Sequence, residues 1–227
     1  MAGFIGLANY KVLSFKKISS TQNYALRMIE TGRAADQVAV VAETQTAGRG
    51  RYRRRWVSRG GNLFVSFIYD CAKPDARVSY AVAVAVAETV AEFGAPAKIK
   101  WPNDVLVDGK KISGVLIEYA GDFVVVGIGI NIAHAPRVEK YETACLADYG
   151  DATPNAVLGR LMKNLDRWMA ADFTVVRLRW MGYAARLSDT VIYQGAPATF
   201  CGIAGDGAIV LCRDDKEFRV YGDEITF

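Results

Sequence analysis

Apolar and polar positions in this chain follow two patterns, and the first predicts a β-sheet. Apolar runs with the length and β-branched content of buried strands lie at 38–42, 63–69, 112–119 and 123–130. Asp108-Gly109 separates the third run from a short strand at 105–107. This pair predicts a tight hairpin turn, because glycine tolerates the positive φ that such turns require.

The second pattern predicts four helices. Ser20 or Thr21 offers an N-cap to the first, which is expected to end at Gly32. An Ala-rich stretch at 75–93 predicts the second, and Thr153-Pro154 is a start signal for the third. The fourth is expected over about 172–185. The predicted fold class is therefore α/β (α+β), with a mixed β-sheet flanked by helices.

The chain changes character at Ser188. Beyond it, short strands alternate with closely spaced glycines up to Phe227, which is typical of a small β-barrel-like domain. The sequence thus predicts a mixed α/β domain over 1–187 and an all-β domain over 188–227.

Composition excludes several classes of protein. The 227 residues are 52% hydrophobic and 23% charged, which allows a large core and excludes a disordered chain. The longest apolar stretch, 80–87, is too short to span a bilayer, and no targeting segment is visible. We therefore expect no membrane partner.

The cysteines and the single histidine, His134, exclude further kinds of site. The cysteines form no CxxC pair, so neither a Cys/His zinc site nor a catalytic Ser-His or Cys-His pair is expected. We predict reduced, mostly buried thiols, as in a cytoplasmic protein. The four cysteines are Cys71, Cys145, Cys201 and Cys212.

Charge is distributed unevenly along the chain. The formal net charge is only +4, from 28 basic and 24 acidic residues, which does not by itself imply a nucleic-acid or membrane partner. Five of the basic residues nevertheless lie within seven positions: Arg49, Arg51, Arg53, Arg54 and Arg55.

This arginine loop has the composition of an anion site. Guanidinium forks suit phosphate or carboxylate, Gly48 and Gly50 permit close backbone approach, and Trp56 offers a ring that could stack on a base. A loop with so many like charges should be mobile until an anion neutralises it. A solvated basic loop or an RNA-binding patch is the alternative.

Lys100-Trp101-Pro102-Asn103-Asp104 is a second candidate segment. Trp101 and Pro102 form a stiff corner, after which Asn103 and Asp104 present an amide and a carboxylate. Asp104 is therefore a candidate Mg²⁺ ligand beside substrate phosphates. An ordinary Pro-Asn-Asp turn is the alternative.

Two glycine-containing strands complete the candidates. Lys111 precedes a strand in which Gly114 invites close approach of a ligand. Gly127 and Gly129 leave room for a flat substrate on one face of the strand that precedes Asn131. The alternative for Lys111 is a solvated lysine at a hairpin. The alternative for Gly127 and Gly129 is tight packing of their strand against a helix.

In this order, the four segments resemble the biotin–protein ligase family. The family's signatures have the forms GRGRxGRxW, KWPND, KxxGxLxE and GxGxN, and this chain reads GRGRYRRRW, KWPND, KISGVLIE and GIGIN. Ser20-Thr21-Gln22 is similar to a Ser-Thr-Asn near the family's first catalytic helix, and the C-terminal tail resembles its SH3-like domain. Two departures stand out: Arg53 replaces the usual glycine of the loop, and Gln22 replaces the commoner asparagine.

The resemblance implies a class II synthetase-like catalytic domain and a short, monofunctional enzyme without an N-terminal DNA-binding domain. Such an enzyme converts biotin and ATP, with Mg²⁺, to biotinyl-5′-AMP and pyrophosphate. It then transfers biotin to a lysine of a biotin carboxyl carrier protein of an acyl-CoA carboxylase. It needs no tightly bound prosthetic group and no DNA, and a cytoplasmic monomer or homodimer is expected.

The resemblance also implies roles for individual residues. The implied catalytic residues are Lys111, which bridges the biotin carboxylate and the α-phosphate, and Arg49 and Arg51, which close over them. Biotin binding is implied for Ser20, Thr21, Gln45, Gly48, Arg49, Lys111, Gly114 and Gly129. ATP or adenylate binding is implied for Arg51, Arg54, Trp56, Lys100, Asn103, Asp104 and Asn131, with Asp104 also near Mg²⁺.

Two other functions stay open from the sequence. A lipoate or octanoate ligase or transferase would use a related scaffold on a different acyl group. A nucleic-acid-binding module would use the arginine loop, but it requires more basic surface than a net charge of +4 indicates.

Overall fold

The structure is a computed structural model that describes residues 3–7, 10–221 and 225. Eight strands form its large sheet: β1 Gly3–Leu7, β2 Tyr10–Ile18, β3 Val38–Gln45, β4 Leu63–Asp70, β5 Ala97–Lys100, β6 Asp104–Val107, β7 Lys110–Ala120 and β8 Phe123–Ile130. Their order across the sheet is β1-β2-β3-β4-β8-β7-β6-β5. The β2–β3 pair is parallel and the other neighbours are antiparallel, so the mixed sheet is confirmed.

The predicted hairpin between β6 and β7 is also confirmed. Asp108 and Gly109 have φ values of 49° and 76°, the left-handed backbone of a two-residue hairpin turn. The turn matters for the site because it brings Asp104 and Lys111 onto neighbouring strands.

Four helices cover the sheet: α1 Thr21–Glu30, α2 Val78–Glu92, α3 Pro154–Met169 and α4 Phe173–Tyr183. Helix α1 packs on one face over a small core that includes Ala25, Met28 and Val40. The other three helices pack on the opposite face, over the larger core. The short α1 covers only part of its face, which leaves sheet surface beside its N-terminus. In the described residues, no helix has both the length and the apolar character needed to cross a membrane.

Both predicted helix caps are present. The Ser20 hydroxyl accepts a hydrogen bond from the Asn23 N–H at the start of α1. Thr153 accepts one from the Ala156 N–H, with Pro154 in the first turn of α3. Each cap satisfies a backbone N–H that has no partner inside its helix.

The C-terminal region forms a separate small sheet, as predicted. Its strands are β9 Thr190–Tyr193, β10 Ala196–Ile203, β11 Ile209–Arg213 and β12 Lys216–Val220, in the antiparallel order β12-β11-β10-β9. The predicted all-β domain extends to residue 227, and residues 222–224 and 226–227 lie outside the described residues. Closure into an SH3-like barrel stays a prediction.

The prediction of four reduced thiols is wrong for two of them. Cys201 on β10 and Cys212 on β11 form a disulfide, with their Cα atoms 6.3 Å apart. Cys71 and Cys145 are free, and of the four only Cys145 is buried. The spacing along the chain did not reveal the pair, because strand pairing brings the two residues together.

Candidate active site

Four strands share a flat patch on the α1 face of the sheet. The hydrogen-bonding register places Gly114 of β7 opposite Gly129 of β8, and Gly129 opposite Phe64 of β4. On its other side, Gly114 lies opposite Asp104, the first residue of β6. Two glycine motifs that are distant in sequence thus lie in one row, and their missing side chains leave a slot above the sheet.

A β-bulge directs Lys111 toward this slot. The register between β6 and β7 pairs Val105 with Ser113 but Leu106 with Lys111, so Ile112 is an extra residue. Strict alternation would send Lys111 and Gly114 to opposite faces of the sheet. The extra residue puts both on the same face, which is a common use of bulges near functional sites.

The Lys111 ammonium group makes an ion pair in the slot. Its Nζ lies 2.7 Å from Asp104 Oδ1, and the two side chains are only 16% and 25% exposed. The ammonium also lies 5.5 Å from the centre of the Trp56 ring and 5.1 Å from that of Tyr141. A cation is therefore held between a carboxylate and two aromatic rings.

The backbone of Lys111 is held as firmly as its side chain. Its N–H donates to the Glu142 carbonyl at 2.9 Å, and its carbonyl accepts from the Ala144 N–H at 3.1 Å. Asn131 braces this region from behind, because its Nδ2 donates to the Ala144 carbonyl at 3.0 Å.

The arginine loop folds as a narrow hairpin. Arg49 and Arg55 form an antiparallel bridge, and the Trp56 N–H donates to the Gly48 carbonyl at 2.9 Å. Residues 51–54 form a tight turn at the tip, in which the Arg54 N–H donates to the Arg51 carbonyl at 3.0 Å. The segment predicted as a loop therefore has backbone hydrogen bonds of its own.

Acidic and amide groups anchor two arginines of the loop. Arg49 Nη2 lies 2.7 Å from Glu118 Oε1, and Arg49 Nη1 donates to Asn23 Oδ1 at 2.9 Å. Arg51 Nη1 donates to Asn103 Oδ1 at 3.2 Å. These contacts offset part of the repulsion among the clustered cations.

Arg53, which stands where the family pattern has glycine, adopts a backbone conformation that favours glycine. Its φ is 59°, and the preceding Tyr52 has a φ of 53°. Both lie in the left-handed region, which costs a non-glycine residue roughly 1–2 kcal/mol. The loop thus has strained backbone at its tip.

The Trp56 indole covers the glycine row. A methyl group added at Gly114 would lie 3.0 Å from Trp56 Cζ3, and one at Gly129 would lie 2.7 Å from Trp56 Cζ2. Trp56 Nε1 is buried and has no hydrogen-bond partner among the described residues. The space predicted for a flat substrate therefore exists, and the indole occupies part of it.

A polar cluster lies at the N-terminus of α1. Gln45 Oε1 accepts from the Thr21 N–H at 2.8 Å and lies 3.2 Å from Thr21 Oγ1. Gln45 Nε2 donates to Ser58 Oγ at 2.9 Å, and Ser66 Oγ lies 2.9 Å from Thr21 Oγ1. With the buried Ser20 beside them, these groups present donors and acceptors at one end of the slot.

These parts enclose a cavity of ≈ 480 Å³, which all predicted site residues line except Gly48 and Asn131. A methyl group at Gly48 would lie 2.7 Å from the Trp56 carbonyl oxygen, so this glycine allows the hairpin to close. Asn131 is buried behind Lys111. Both residues thus lie beside the cavity lining, and the contact with ligand predicted for them stays a prediction.

Gln22 is a lining residue that the sequence reasoning did not assign. It is buried, its Oε1 lies 2.9 Å from Ser66 Oγ, and its Nε2 donates to Glu118 Oε2 at 3.0 Å. A methyl group at Gly127 would collide with Gln22 Oε1. The departure from the usual asparagine was the available signal, since a longer amide requires space that Gly127 provides.

Other lining residues, some inside the four motifs and some outside them, had no role assigned from the sequence. They include Ser66, Trp101, Pro102, Leu116, Tyr141 and Ile225. Ile225 comes from the C-terminal region, so that region reaches the cavity.

Asp104 is the predicted Mg²⁺ ligand, and its surroundings fit a metal ion that takes most of its ligands from substrate and water. Among the described residues, no group of three or more His, Cys, Asp or Glu side chains could hold a metal ion. A single carboxylate fits Mg²⁺ that arrives already bound to substrate phosphates, because Mg²⁺ keeps several oxygen ligands from water and phosphate.

Comparison with known proteins agrees with this geometry. Residues 14–132 match the biotin/lipoate A/B protein ligase family. A biotin--[acetyl-CoA-carboxylase] ligase of Paracoccus denitrificans is 34% identical over 198 residues, which cover 76% of this chain and 82% of that protein. The bifunctional ligase/repressor BirA of Bacillus subtilis is 30% identical over 92% of this chain and 71% of its own length.

Solved structures are similar over nearly the whole chain. The biotin protein ligase of Aquifex aeolicus in complex with biotin and ATP has a TM-score of 0.80 and 27% identity. The match covers 95% of this chain and 97% of that one. A biotin protein ligase of Leishmania major, with a TM-score of 0.67 and 24% identity, shares the fold.

The strain at Arg53 predicts a stabilising substitution. Arg53→Gly should raise the free energy of unfolding by about 0.5–1 kcal/mol, because relief of the left-handed strain exceeds the extra chain entropy of glycine. Urea denaturation measures the change. Arg59→Gly is the matched control: it removes the same charge from an exposed position that is not among those with positive φ. The control should be destabilised, and equal values for the two variants would contradict the assigned strain.

Proposed function

The chain belongs to the biotin/lipoate A/B protein ligase family, and we propose that it is an ATP-dependent biotin–protein ligase. It converts biotin and ATP to biotinyl-5′-AMP and pyrophosphate, and then transfers biotin to a lysine of a carrier protein. The relatives named as biotin ligases and the related structure with bound biotin and ATP support biotin over lipoate or octanoate as the acyl group.

The position of Lys111 is the observation that carries the proposal. The cavity has polar groups at its α1 end, glycines along its floor, and the Lys111 ammonium 2.7 Å from Asp104. An extended substrate that lies along the floor with a ring at the polar end would bring its carboxylate toward Lys111.

The first step must bring two anions together, because a carboxylate attacks the α-phosphate of ATP. Two unit charges about 4 Å apart interact by about 4 kcal/mol at an effective dielectric constant of about 20. A fixed ammonium group between the carboxylate and the phosphate therefore lowers the barrier materially. In this assignment Lys111 exchanges its contact with Asp104 for contacts with both substrates.

The arginine loop supplies the remaining positive charge. Arg49 and Arg51 line the cavity and are oriented by Glu118 and Asn103, so their forks are in place for the adenylate. Arg54 and Lys100 also line the cavity and would contact the phosphates. Mg²⁺ enters as part of the MgATP substrate, with Asp104 as a nearby carboxylate.

The polar end of the cavity suits the ureido ring of biotin. A cyclic urea has one carbonyl acceptor and two N–H donors. Ser20, Thr21 and Gln45 provide hydroxyl and amide groups that can donate to the carbonyl and accept from the N–H groups. Ligand binding requires Trp56 to move from the glycine row, after which it would lie over the adenylate as a lid.

The second step needs no nucleophile from this chain. The carrier lysine nitrogen attacks the acyl carbon of biotinyl-5′-AMP, the bond to the phosphate oxygen breaks, and AMP leaves. The chain's task is to hold the mixed anhydride and exclude water until the lysine arrives. This fits the position of His134, which is exposed and does not line the cavity.

We also propose a carrier, a domain division and a location. A biotin carboxyl carrier protein of an acyl-CoA carboxylase is the expected acceptor, in line with the name of the Paracoccus relative. A boundary between 187 and 188 separates the end of α4 from β9, which begins at Thr190. A cytoplasmic location and a monomer or homodimer stay predictions.

Calorimetry tests the choice of substrate. Biotin should bind the purified protein, and ATP added to that complex should give a second, biotin-dependent heat. Lipoate at the same concentration should give neither, because the polar end of the cavity has donors and acceptors that a dithiolane ring cannot satisfy. Binding of lipoate without binding of biotin would contradict the proposal.

Removal of the Lys111 charge should abolish the first step. Lys111→Ala should lose biotin-dependent pyrophosphate release by at least about a hundredfold, since preorganised charge at a reacting centre contributes on that scale. Lys110→Ala is the matched control: Lys110 is exposed, pairs only loosely with Glu142 at 3.7 Å and does not line the cavity. Near-normal release by Lys111→Ala would exclude the bridging role.

Ligand should also protect the arginine loop from trypsin. Cleavage between Gly48 and Gly61 should slow when biotin and MgATP are present together, because the adenylate neutralises the clustered arginines and holds the hairpin closed. Mass spectrometry of timed digests gives the rate at each arginine, with Arg33 as an internal reference outside the cavity. Equal rates with and without the substrates would refute ordering by ligand.

A further inference from the structure

We propose that Tyr80 is a positioning residue that couples the C-terminal sheet to the cavity-lining segment 101–104. The inference rests on the proposed function for its kinetic consequence, but its structural consequence is independent of the substrate. It assigns a role in catalysis to a side chain on α2, on the opposite face of the sheet from the slot.

The Tyr80 hydroxyl joins two separate parts of the chain. It donates to the Gly207 carbonyl at 2.6 Å and accepts from Trp101 Nε1 at 3.2 Å. Tyr80 is only 3% exposed, and burial raises its pKa to about 12, so the hydroxyl keeps its proton at neutral pH. Its ring is fixed by edge contacts with Phe173 and Trp180 on α4.

Gly207, which accepts the hydrogen bond from Tyr80, lies in a hydrogen-bonded turn between β10 and β11. The Gly207 N–H donates to the Ala204 carbonyl at 3.0 Å, and the Ala204 N–H donates to the Ala208 carbonyl at 2.8 Å. Gly207 itself has a φ of 88°, which suits glycine. Asp206 in the same turn pairs with Arg219 at 2.7 Å, which ties the turn to β12.

The Trp101 end begins the segment that lines the cavity. Trp101 is buried, and the three residues after it line the site together with it. Asn103 accepts from Arg51, and Asp104 holds the Lys111 ammonium. Rotation of the Trp101 indole would therefore move the two groups that orient the cations around ATP.

Without the Tyr80 hydroxyl, the Gly207 carbonyl and the Trp101 indole N–H both lose a hydrogen-bond partner. Tyr80→Phe keeps the ring and its packing but removes the partner of a buried indole N–H and of a partly buried carbonyl, and buried polar groups rarely lack a partner. The segment and the turn should then both loosen. Because Lys100, Asn103 and Asp104 are assigned to the nucleotide, the kinetic effect should fall on ATP.

The experiment compares Tyr80→Phe with Tyr10→Phe. Tyr10 is also 3% exposed, and its hydroxyl contacts Asp166 at 2.6 Å and Tyr69 at 3.0 Å, away from the cavity lining. Two readouts are measured on the intact protein: backbone hydrogen exchange, and the KM values for ATP and biotin in biotin-dependent pyrophosphate release.

For Tyr80→Phe we expect faster exchange in peptides covering 98–106 and 204–208. The KM for ATP should rise about fivefold, the effect of losing the one hydrogen bond that holds Trp101. The KM for biotin should change by less than about twofold, because segment 101–104 is assigned to the nucleotide. Tyr10→Phe should change none of these. Trp101→Phe should raise the KM for ATP similarly, and the double variant no further, since both substitutions break the same link.

Two results would overturn the coupling. One is unchanged exchange in both peptides of Tyr80→Phe, and the other is an equal rise in the two KM values, which indicates general loosening. Absence of biotin-dependent pyrophosphate release in the unmodified protein would instead contradict the proposed function, and the exchange readout would then decide the coupling by itself.

Discussion

The site depends on the strand register that places one ammonium group beside a flat glycine row. Gly114 and Gly129 face each other across β7 and β8, and Asp104 lies at the end of the same row. A single extra residue in β7 turns Lys111 onto that face. A shift of one position in this register would bury Lys111 among the apolar side chains of the other face and remove the slot as well.

Internal pairing makes a cluster of cations compatible with a stable fold. Lys111 contacts Asp104 and Arg49 contacts Glu118, so carboxylates already partly offset the positive charge. Ligand phosphates and carboxylates would then replace protein carboxylates as partners, so that the cations have an opposite charge beside them with and without ligand. Because Asp104 is paired with Lys111, it orients that ammonium group and is a poor ligand for a metal ion.

Local signals predicted most of the elements and failed where distant segments meet. The caps at Ser20 and Thr153 and the hairpin at Asp108-Gly109 depend on neighbouring residues, and all are present. The Cys201–Cys212 disulfide depends on the pairing of two strands, and neither its partners nor its presence could be predicted from spacing. Gln22 was missed for a similar reason, since its partners lie on β4 and β7.

The sequence by itself determined the chemical groups of the site and the family that the chain resembles, because reactive side chains and their order in motifs are properties of the chain. The tertiary structure decided which of those groups act together. It joined the four motifs around one cavity, placed Asn131 and Gly48 beside its lining, and linked Trp101 to the C-terminal sheet through Tyr80. These relations depend on strand register and helix packing, which join residues far apart in the chain and so leave no signal in the local sequence.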